Sequence, residues 1–523
     1  MSTLELLLVL GALACLLALL AKALRLPAAI LQLAGGLAIA FAPGHPEVAL
    51  PPELVFVIFV PPIVYFAGFG SSLRDLRANA GTIASLAVGL VLATAAAIAV
   101  VAHALIPELS WAAAFVLGAI VAPTDIAAAR AVLERLGLPR LLLTLLEGEG
   151  LLNDATAVIT YRAAVAAVAV GAFSLDQVGL SIVLVGAGGL AYGVVLGYVI
   201  ARIRTPIEDA PIEITISLLT PYVVYLTAEA IGVSGIVATV ATGIFLGRRS
   251  STIMSPSTRI AGLAVWQLFI FVLNSALFML IGLEFPRVAL ALGSEQPAAR
   301  LVGLALAIGL GVMAVRMLWV FPITYLRAAV PWLHATKRPD WRYVFVVGWA
   351  GMRGMDSVTT ALALPFMTQD GGPFPARSLI VFLGAAVVII TLVGQGLTLP
   401  LVMRVLGVAA DDSEDAEEQQ AREVTGDAAL RRIGELEKEW PTHRPLIEQL
   451  RTQYEHRAEH RDRREADATA ADQEETEHRA IRHQVLEAER EAAVDLRNRN
   501  AINDAVLRRL ERDIDLEELR MDA

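Results

Sequence analysis

The chain contains little of what builds disulfide-bonded, soluble or nucleotide-using proteins. Cys15 is the only cysteine among 523 residues, so one chain can form neither an internal disulfide nor a cysteine-based metal site. Charged residues make up 18% of the sequence, against about 25% in soluble domains. It has no HExxH, no GxxxxGK[ST] and no GxGxxG that follows a strand. These absences favour a membrane protein without an organic cofactor, and they argue against a zinc hydrolase or a nucleotide-dependent enzyme.

Charge divides the sequence into two predicted domains. Residues 1–410 carry 23 Lys and Arg and 20 Asp and Glu, a net charge of +3, whereas residues 411–523 carry 19 and 32, a net charge of −13. The second domain is therefore predicted to be an acidic, helical, regulatory cytoplasmic tail, because it has too few large apolar residues for an enzyme core. Its last predicted helix carries an apolar stripe at steps of four residues, formed by Ile502, Val506, Leu510 and Ile514.

Apolar segments of about 20 residues recur through the first domain, and each is long enough to cross a hydrocarbon layer of about 30 Å. They predict an all-α polytopic membrane protein. The N-terminus lacks the basic region of a signal peptide, so the first span is expected to be retained. Thirteen transmembrane helices are predicted, near 3–24, 26–43, 53–70, 80–105, 110–131, 144–170, 175–202, 211–228, 232–247, 261–284, 298–328, 342–366 and 377–406.

The basic residues between these spans predict an orientation. With the N-terminus outside, seventeen Lys and Arg lie in inside connectors and only Arg287, Arg300 and Arg377 in outside ones. We therefore expect an inner-membrane protein whose N-terminus is outside and whose tail is cytoplasmic. Two spans are interrupted, the fifth by APTD (122–125) and the twelfth by GMRGMD (351–356). These positions are equivalent if six spans, a linker span and six inverted spans make up the domain.

The sixth span carries carboxylates in EGEGLLNDATAVITY (147–161), although a charge at the bilayer centre costs about 2.5–3.5 kcal/mol. Asp154 lies deep in this span, and Gly150 on the same helical face leaves room for an ion. A carboxylate in a low dielectric holds a proton more tightly. A proton and a cation can therefore compete for Asp154. Asn153 is expected either to offer a carbonyl oxygen to the cation or to hold the helices together.

The interruption of the fifth span supplies further candidate ligands. Pro123 removes a backbone donor and opens the helix. The Thr124 hydroxyl and the open carbonyls suit a monovalent cation, so Thr124 and Asp154 are the candidate metal ligands. Asp125 is expected to cap the second half-helix, in preference to binding the ion directly.

A buried arginine in the twelfth span requires a carboxylate. Arg353 lies between two glycines, and Glu149 and Asp356 are its candidate partners. We expect a structural Glu149–Arg353 salt bridge that fixes the twelfth span to the sixth. Glu213 and Arg316, in other spans, are expected to be structural or interfacial and not ligands.

Together these motifs resemble those of the sodium–proton exchangers of the monovalent cation:proton antiporter superfamily. GEGLLNDATAVITY (148–161) is similar to the Glu-Ser-Leu-Leu-Asn-Asp motif of their sixth helix, and APTD to their Thr-Asp crossover. GWAGMRG (348–354) is similar to their arginine-bearing helix, and VGQGLTLPL (393–401) to the end of their last span. The similarity extends over about 1–406, in order.

The resemblance implies a homodimer in the lipid bilayer, with an inverted six-helix repeat, crossed broken helices and alternating access. It places core spans near 80–170 and 298–406, and dimerisation or scaffold spans near 1–70 and 175–284. It implies that Asp154 binds the ion or the proton, with Thr124 and the crossover backbone completing the site. It also implies the Glu149–Arg353 bridge and, for an Asn153–Asp154 pair, electroneutral exchange. Neither an organic cofactor nor nucleic acid is implied.

Three residues depart from the pattern of that family. Phe66 stands where many members have an acid, and Gly150 replaces the serine of the sixth-helix motif. Asp356 stands where a small or aliphatic residue is usual. Asp356 could compensate for the missing acid, engage Arg353 in place of Glu149, or add a second protonatable group, so ion identity and stoichiometry stay open.

Exchange of Na⁺, or of Li⁺ or K⁺, for H⁺ is the function that the sequence favours. A K⁺/H⁺ antiporter and a cation channel with the same fold remain alternatives. An intramembrane aspartyl protease is remote, because no Gly-x-Gly-Asp element accompanies Asp125 or Asp154 and Arg353 would disturb a shared proton.

Overall fold

In a computed structural model of the chain, helices make up most of the described residues, with no strand among them and one isolated bridge between Met367 and Pro373. The chain divides into two compact units, Met1–Asp411 and Asp412–Ala523. The described residues are 3–24, 26–41, 52–125, 140–170, 175–207, 209–293, 296–329, 340–368, 372–408, 413–466, 483–496 and 513–518, with single positions 481, 499, 507 and 510.

The described part of the first unit consists mainly of apolar helices. Among the described residues, six helices are long and apolar enough to cross a membrane, by length and composition. In chain order the helices are α1 (Thr3–Leu24), α2 (Ala28–Ala40), α3 (Pro52–Gly70), α4 (Leu73–Ala78), α5 (Ala80–Leu105), α6 (Trp111–Val121), α7 (Arg140–Val170), α8 (Leu175–Arg204), α9 (Ala210–Ala230), α10 (Gly235–Ile253), α11 (Pro256–Gly293), α12 (Ala298–Ala329), α13 (Trp341–Trp349), α14 (Met355–Leu362) and α15 (Arg377–Leu406).

The predicted spans coincide with these helices, whereas thirteen crossings and the inverted repeat stay predictions. The second half of the fifth span, from residue 126, lies outside the described residues. The predicted spans near 211–228 and 232–247 are the continuous helices α9 and α10, and Gly232 makes the turn between them with a φ of 80°. The sequence did not predict that α5 contains a π-helical turn at Ser85–Leu90.

Small residues allow several helix backbones to approach closely. A Cβ atom built on Gly36 of α2 would lie 2.1 Å from the Met279 carbonyl oxygen of α11. A Cβ atom on Gly282 would lie equally close, 2.1 Å, to the Leu33 carbonyl oxygen. Such contacts are typical of membrane helices, whose association depends on close packing because lipid is as apolar as the side chains.

Two interrupted segments cross in the interior of the first unit. Helix α6 ends at Val121, and residues 122–125 are not helical. Helix α13 ends at Trp349, and α14 begins at Met355 after a second non-helical segment, 350–354. The Asp125 amide donates to the Met352 carbonyl over 2.8 Å. The two breaks predicted from the sequence therefore meet, with one backbone hydrogen bond between them.

The second unit is built from charged helices. Helices α16 (Ser413–Glu439) and α17 (Arg444–Ala466) are joined by a 3₁₀ turn, and Arg451 bonds Glu437 across them over 2.6 Å. Of the predicted apolar stripe, Ile502 and Val506 lie outside the described residues. Ile514 is buried, whereas Leu510 is 39% exposed, so the stripe is only partly covered in this unit.

Candidate functional site

Glu149 of α7 forms an ion pair with Arg316 of α12. Both Glu149 oxygens accept from the guanidinium, with Nη2 to Oε2 at 2.8 Å and Nη1 to Oε1 as the second contact. Arg316 also donates to the Val347 carbonyl near the end of α13, from Nη2 over 3.0 Å. Both charged residues are buried, Glu149 with 1% and Arg316 with 0% exposed. This bidentate pair therefore fixes α7, α12 and α13 to one another.

The predicted Glu149–Arg353 bridge is wrong in this structure. Within the part of the chain that is described, the ion pair of Glu149 is with Arg316, and Arg353 donates from Nη1 to the Ala122 carbonyl. The Arg353 amide donates to Thr391 Oγ1 over 3.1 Å. The physical reason is that Ala122 follows the last turn of α6, where free carbonyls and the negative end of the helix dipole attract a cation. The positive charge of Arg353 therefore offsets the negative end of the α6 dipole.

Thr124 and Asn153 connect the crossing to this ion pair. Thr124 Oγ1 donates to Glu149 Oε1 over 2.9 Å. Asn153 Nδ2 lies 2.8 Å from Thr124 Oγ1 and 3.1 Å from the Thr124 carbonyl oxygen. All three side chains are buried. Asn153 therefore holds α7 to the interrupted fifth span, which is one of the two roles expected of it, while its Oδ1 has no partner among the described residues.

Asp154 lines a small cleft between α3, α7, α10 and α14. Its Oδ1 is buried without a hydrogen-bond partner among the described residues, and the residue is 7% exposed. The cleft walls include Phe56, Val60 and Ile236, with Pro123 of the crossing. A carboxylate in such apolar surroundings requires a positive charge or a proton, because a buried charge without compensation is strongly unfavourable.

At two positions of the twelfth span only glycine fits, because atoms of neighbouring segments lie very close to the backbone at the crossing. A Cβ atom on Gly354 would lie 1.8 Å from Asp125 Oδ2, and one on Gly351 would lie 2.1 Å from Arg316 Nε. Asp125 therefore packs directly against the second interrupted segment, with its amide bonded to Met352. Its predicted cap on the second half-helix concerns residues that lie outside the described part of the chain.

Asp356 reaches the same cleft from the first turn of α14. Phe66, which stands where an acid was expected, is in contact with Trp266 of α11, with ring centroids 5.6 Å apart. Gly150 lies one turn before Asp154 in α7 and is half-buried. The structure therefore groups Thr124, Asp125, Asn153, Asp154 and Asp356 around the crossing, and it leaves Phe66 in an aromatic cluster elsewhere.

Arg316 is the residue whose role the sequence reasoning missed. Its position in the middle of an apolar span, like that of Arg353, was a signal that it needs a buried carboxylate. The resemblance to the exchanger family favoured Arg353 as the partner of Glu149, and a sequence alone does not show which of two buried arginines reaches a given carboxylate.

Comparison with known proteins was made on the sequence and on the fold. The family model described as "Sodium/hydrogen exchanger, transmembrane" matches residues 9–405. An uncharacterized Na⁺/H⁺ exchanger of Mycobacterium tuberculosis is 35% identical over 503 residues, which cover 95% of this chain and 92% of that protein. A sodium, potassium, lithium and rubidium/H⁺ antiporter of Bacillus subtilis is 34% identical over 72% of this chain and 58% of its own length.

Among solved structures, the sodium–proton antiporter MjNhaP1 from Methanocaldococcus jannaschii at pH 8 superimposes with a TM-score of 0.60. The alignment covers 77% of this chain and 98% of that chain, at 16% sequence identity. At this identity the likeness concerns the fold alone.

Proposed function

We propose that this chain, which belongs to the sodium/hydrogen exchanger family, exchanges Na⁺ for H⁺ across a membrane through competition of the two ions for Asp154. The family comprises membrane transporters and not enzymes, and the apolar helices of the first unit agree with a multi-pass membrane protein. Exchange requires that the site holds one ion or the other in each half of the cycle. A single buried carboxylate meets this requirement.

The observation that carries the proposal is the Asp154 oxygen without a donor in the cleft. Asp154 Oδ1 is buried, and no group among the described residues donates to it. Either a proton or a cation would neutralise the carboxylate, and each would exclude the other by removing its negative charge. This arrangement differs from that of Glu149, whose two oxygens are already held by Arg316.

Neutral oxygens near Asp154 would complete the coordination of a cation. Carboxylate and carbonyl oxygens are ligands that hard cations prefer. Asn153 contributes its unpartnered Oδ1, while its Nδ2 is fixed on Thr124. We propose that Thr124 and the backbone of the 122–125 segment supply the remaining ligands, with Asp125 at the crossing. Gly150 leaves space beside the carboxylate.

We also propose the arrangement in the membrane that the sequence predicts. It comprises thirteen crossings in an inverted repeat, an external N-terminus, a regulatory cytoplasmic tail and a homodimer in the inner membrane. The charge distribution of the connectors supports the orientation, and the meeting of two interrupted spans supports the repeat. Accessibility of single cysteines introduced after removal of Cys15 would test the orientation.

Ion selectivity is best tested over a panel of alkali metal ions. The relative from Bacillus subtilis is named for sodium, potassium, lithium and rubidium. We propose Na⁺ as the substrate of this chain, with Li⁺ and K⁺ as the other candidates. A K⁺/H⁺ antiporter would show proton movement with K⁺ in preference to Na⁺.

The test uses proteoliposomes that contain a trapped pH dye. Addition of Na⁺ should move protons in the wild type, and Asp154→Asn should abolish this movement while the protein elutes normally in size-exclusion chromatography. Glu108→Gln is the matched control, because Glu108 is 73% exposed and pairs at 3.6 Å with Arg300 at the surface. Unchanged exchange in Asp154→Asn would refute the assignment. A cation flux that needs no proton gradient would favour a channel.

A further inference from the structure

Asp356 shares the cleft with Asp154, and Arg353, the partner that the sequence suggested for Asp356, forms its hydrogen bond elsewhere. Asp356 lies in the first turn of α14 and lines the cleft together with Asp154 of α7. Arg353 is directed to the Ala122 carbonyl. Among the described residues, no basic group forms an ion pair with Asp356 within 4.0 Å. Its carboxylate therefore belongs to the cleft and not to a salt bridge of the crossing.

Within the part of the chain that the structure describes, the formal charges around the crossing do not balance. The buried or cleft-lining acids there are Asp125, Glu149, Asp154 and Asp356, and the described bases are Arg316 and Arg353. Among the described residues, these four acids and two bases differ by two formal negative charges. Arg316 offsets Glu149 directly, and Arg353 lies in the same crossing as Asp125. The remaining two negative charges correspond to the two carboxylates that line the cleft.

The other elements packed against α14 supply no base to the cleft within the described structure. Helices α3 and α10 contribute the apolar Phe56, Val60 and Ile236. On the far side of α14, Glu284 of α11 lines a separate cavity and pairs with Arg287 over 2.9 Å.

A second observation concerns the hydrogen bonding of Asp154. Asp154 is more than nine-tenths buried, and its Oδ1 has no donor among the described residues although it lines the cleft. Two carboxylates that share one cavity repel each other when both are ionised, so their protonation is coupled. One Na⁺ supplies one positive charge to this pair, whereas two protons neutralise both carboxylates.

We propose that Asp356 is a second proton-carrying residue of the transport site, so that each cycle exchanges two protons for one Na⁺. In one half of the cycle, Asp154 and Asp356 each hold a proton. Release of both protons leaves two carboxylates, and one Na⁺ then binds between them. The cycle therefore moves one net positive charge in the direction of the protons. This proposal rests on the proposed exchange at Asp154 and departs from the electroneutral stoichiometry that an Asn153–Asp154 pair implies.

The stoichiometry can be read from the Na⁺ gradient that balances a pH gradient. Proteoliposomes receive a difference of about one pH unit, with Na⁺ as the only alkali metal ion and a permeant anion at equal concentration on both sides to hold the membrane potential near zero. One pH unit is a tenfold proton gradient, and this ratio is raised to the power of the number of protons exchanged per Na⁺. Net flux therefore stops at about a hundredfold Na⁺ gradient for two protons per Na⁺ and at about a tenfold gradient for one.

Asp356→Asn is the test variant, and Glu284→Gln is its control because Glu284 lies on the opposite side of the same helix. We expect a balance near hundredfold in the wild type and in Glu284→Gln, and near tenfold in Asp356→Asn. A tenfold balance in the wild type, or a hundredfold balance in Asp356→Asn, would overturn the proposal. Absence of any Na⁺-driven proton movement in folded wild type would instead refute the exchange itself.

A binding measurement covers the case in which Asp356→Asn does not transport. Na⁺ is added to the purified full-length protein in weakly buffered detergent solution, at a pH where the site is protonated, and the released protons are counted. We expect about twice as many protons per bound Na⁺ in the wild type as in Asp356→Asn. Equal proton release in the two proteins would overturn the assignment of Asp356.

Discussion

A double-mutant cycle distinguishes the two possible partners of Glu149. The variants are Glu149→Gln, Arg316→Met and Arg353→Met, singly and as the pairs 149/316 and 149/353. Arg316 donates two hydrogen bonds to the Glu149 carboxylate and two to the Val347 carbonyl. Arg353 instead contacts the Ala122 carbonyl. Only the first pair is in direct contact, so only that pair should show a large coupling energy.

The expected magnitude follows from the burial of both charges. Glu149→Gln leaves Arg316 charged and enclosed, and the loss of one partner of a buried ion pair costs about 3–5 kcal/mol. Arg316→Met should cost a similar amount and also free the Val347 carbonyl. The double variant should be less destabilised than the sum by about 2–3 kcal/mol, at the upper end of coupling between contacting residues. For Glu149 and Arg353 we expect a coupling below about 0.5–1 kcal/mol.

Thermal unfolding of the purified protein in detergent provides the measurement. In a unit of about 400 residues, 1 kcal/mol corresponds to a Tm change of about 1–2 °C, an extrapolation from smaller domains. Each single variant at position 149 or 316 should therefore lower Tm by about 3–10 °C. A coupling between Glu149 and Arg353 as large as that between Glu149 and Arg316 would contradict the described geometry.

Two further predictions concern a glycine and the tail. Gly354→Ala should abolish exchange and destabilise the protein by about 1–3 kcal/mol, because the new methyl group would meet Asp125. Gly394→Ala is the control, since nothing lies within 4 Å of a Cβ atom there, and its transport and Tm should stay unchanged. Equal behaviour of the two variants would contradict the prediction. In the tail, Arg451 lowers the pKa of Glu437 by hydrogen bonding, so this bond stabilises the α16–α17 pair above the ordinary pKa of a glutamate and is lost as pH falls through the lowered value. Glu437→Gln should therefore speed proteolysis of the full-length protein between these helices at pH 7, and its difference from the wild type should shrink as the pH falls below the ordinary pKa of a glutamate; a difference that keeps the same size at all pH values would contradict this reasoning.

Much of the fold was predictable because apolar segments of membrane length are long and distinct. The helix positions follow from hydropathy, and the two breaks from Pro123 and the Gly351–Gly354 segment. The π-helical turn at Ser85–Leu90 was not predictable, since its residues are as apolar as the rest of α5. The number of membrane crossings and their inverted relation stay predictions.

The candidate site was predictable in its residue types but not in all its pairings. Asp154 stood out because a carboxylate inside an apolar span has a large energetic cost, which indicates a functional role. The pairing of Glu149 depended on how α7, α12 and α13 pack, and a single sequence carries little information on that. The cleft shared by Asp154 and Asp356 likewise results from two segments that are far apart in the chain.

The contacts of Arg316 determine which parts of the first unit can slide past one another. Because one buried guanidinium bonds both α7 and α13, we expect these helices and α12 to move together in any conformational change. Displacement is far easier along surfaces without ionic contacts, such as the one where Phe56 and Val60 of α3 face the cleft. An apolar interface of this kind can open and close repeatedly without separating buried charges.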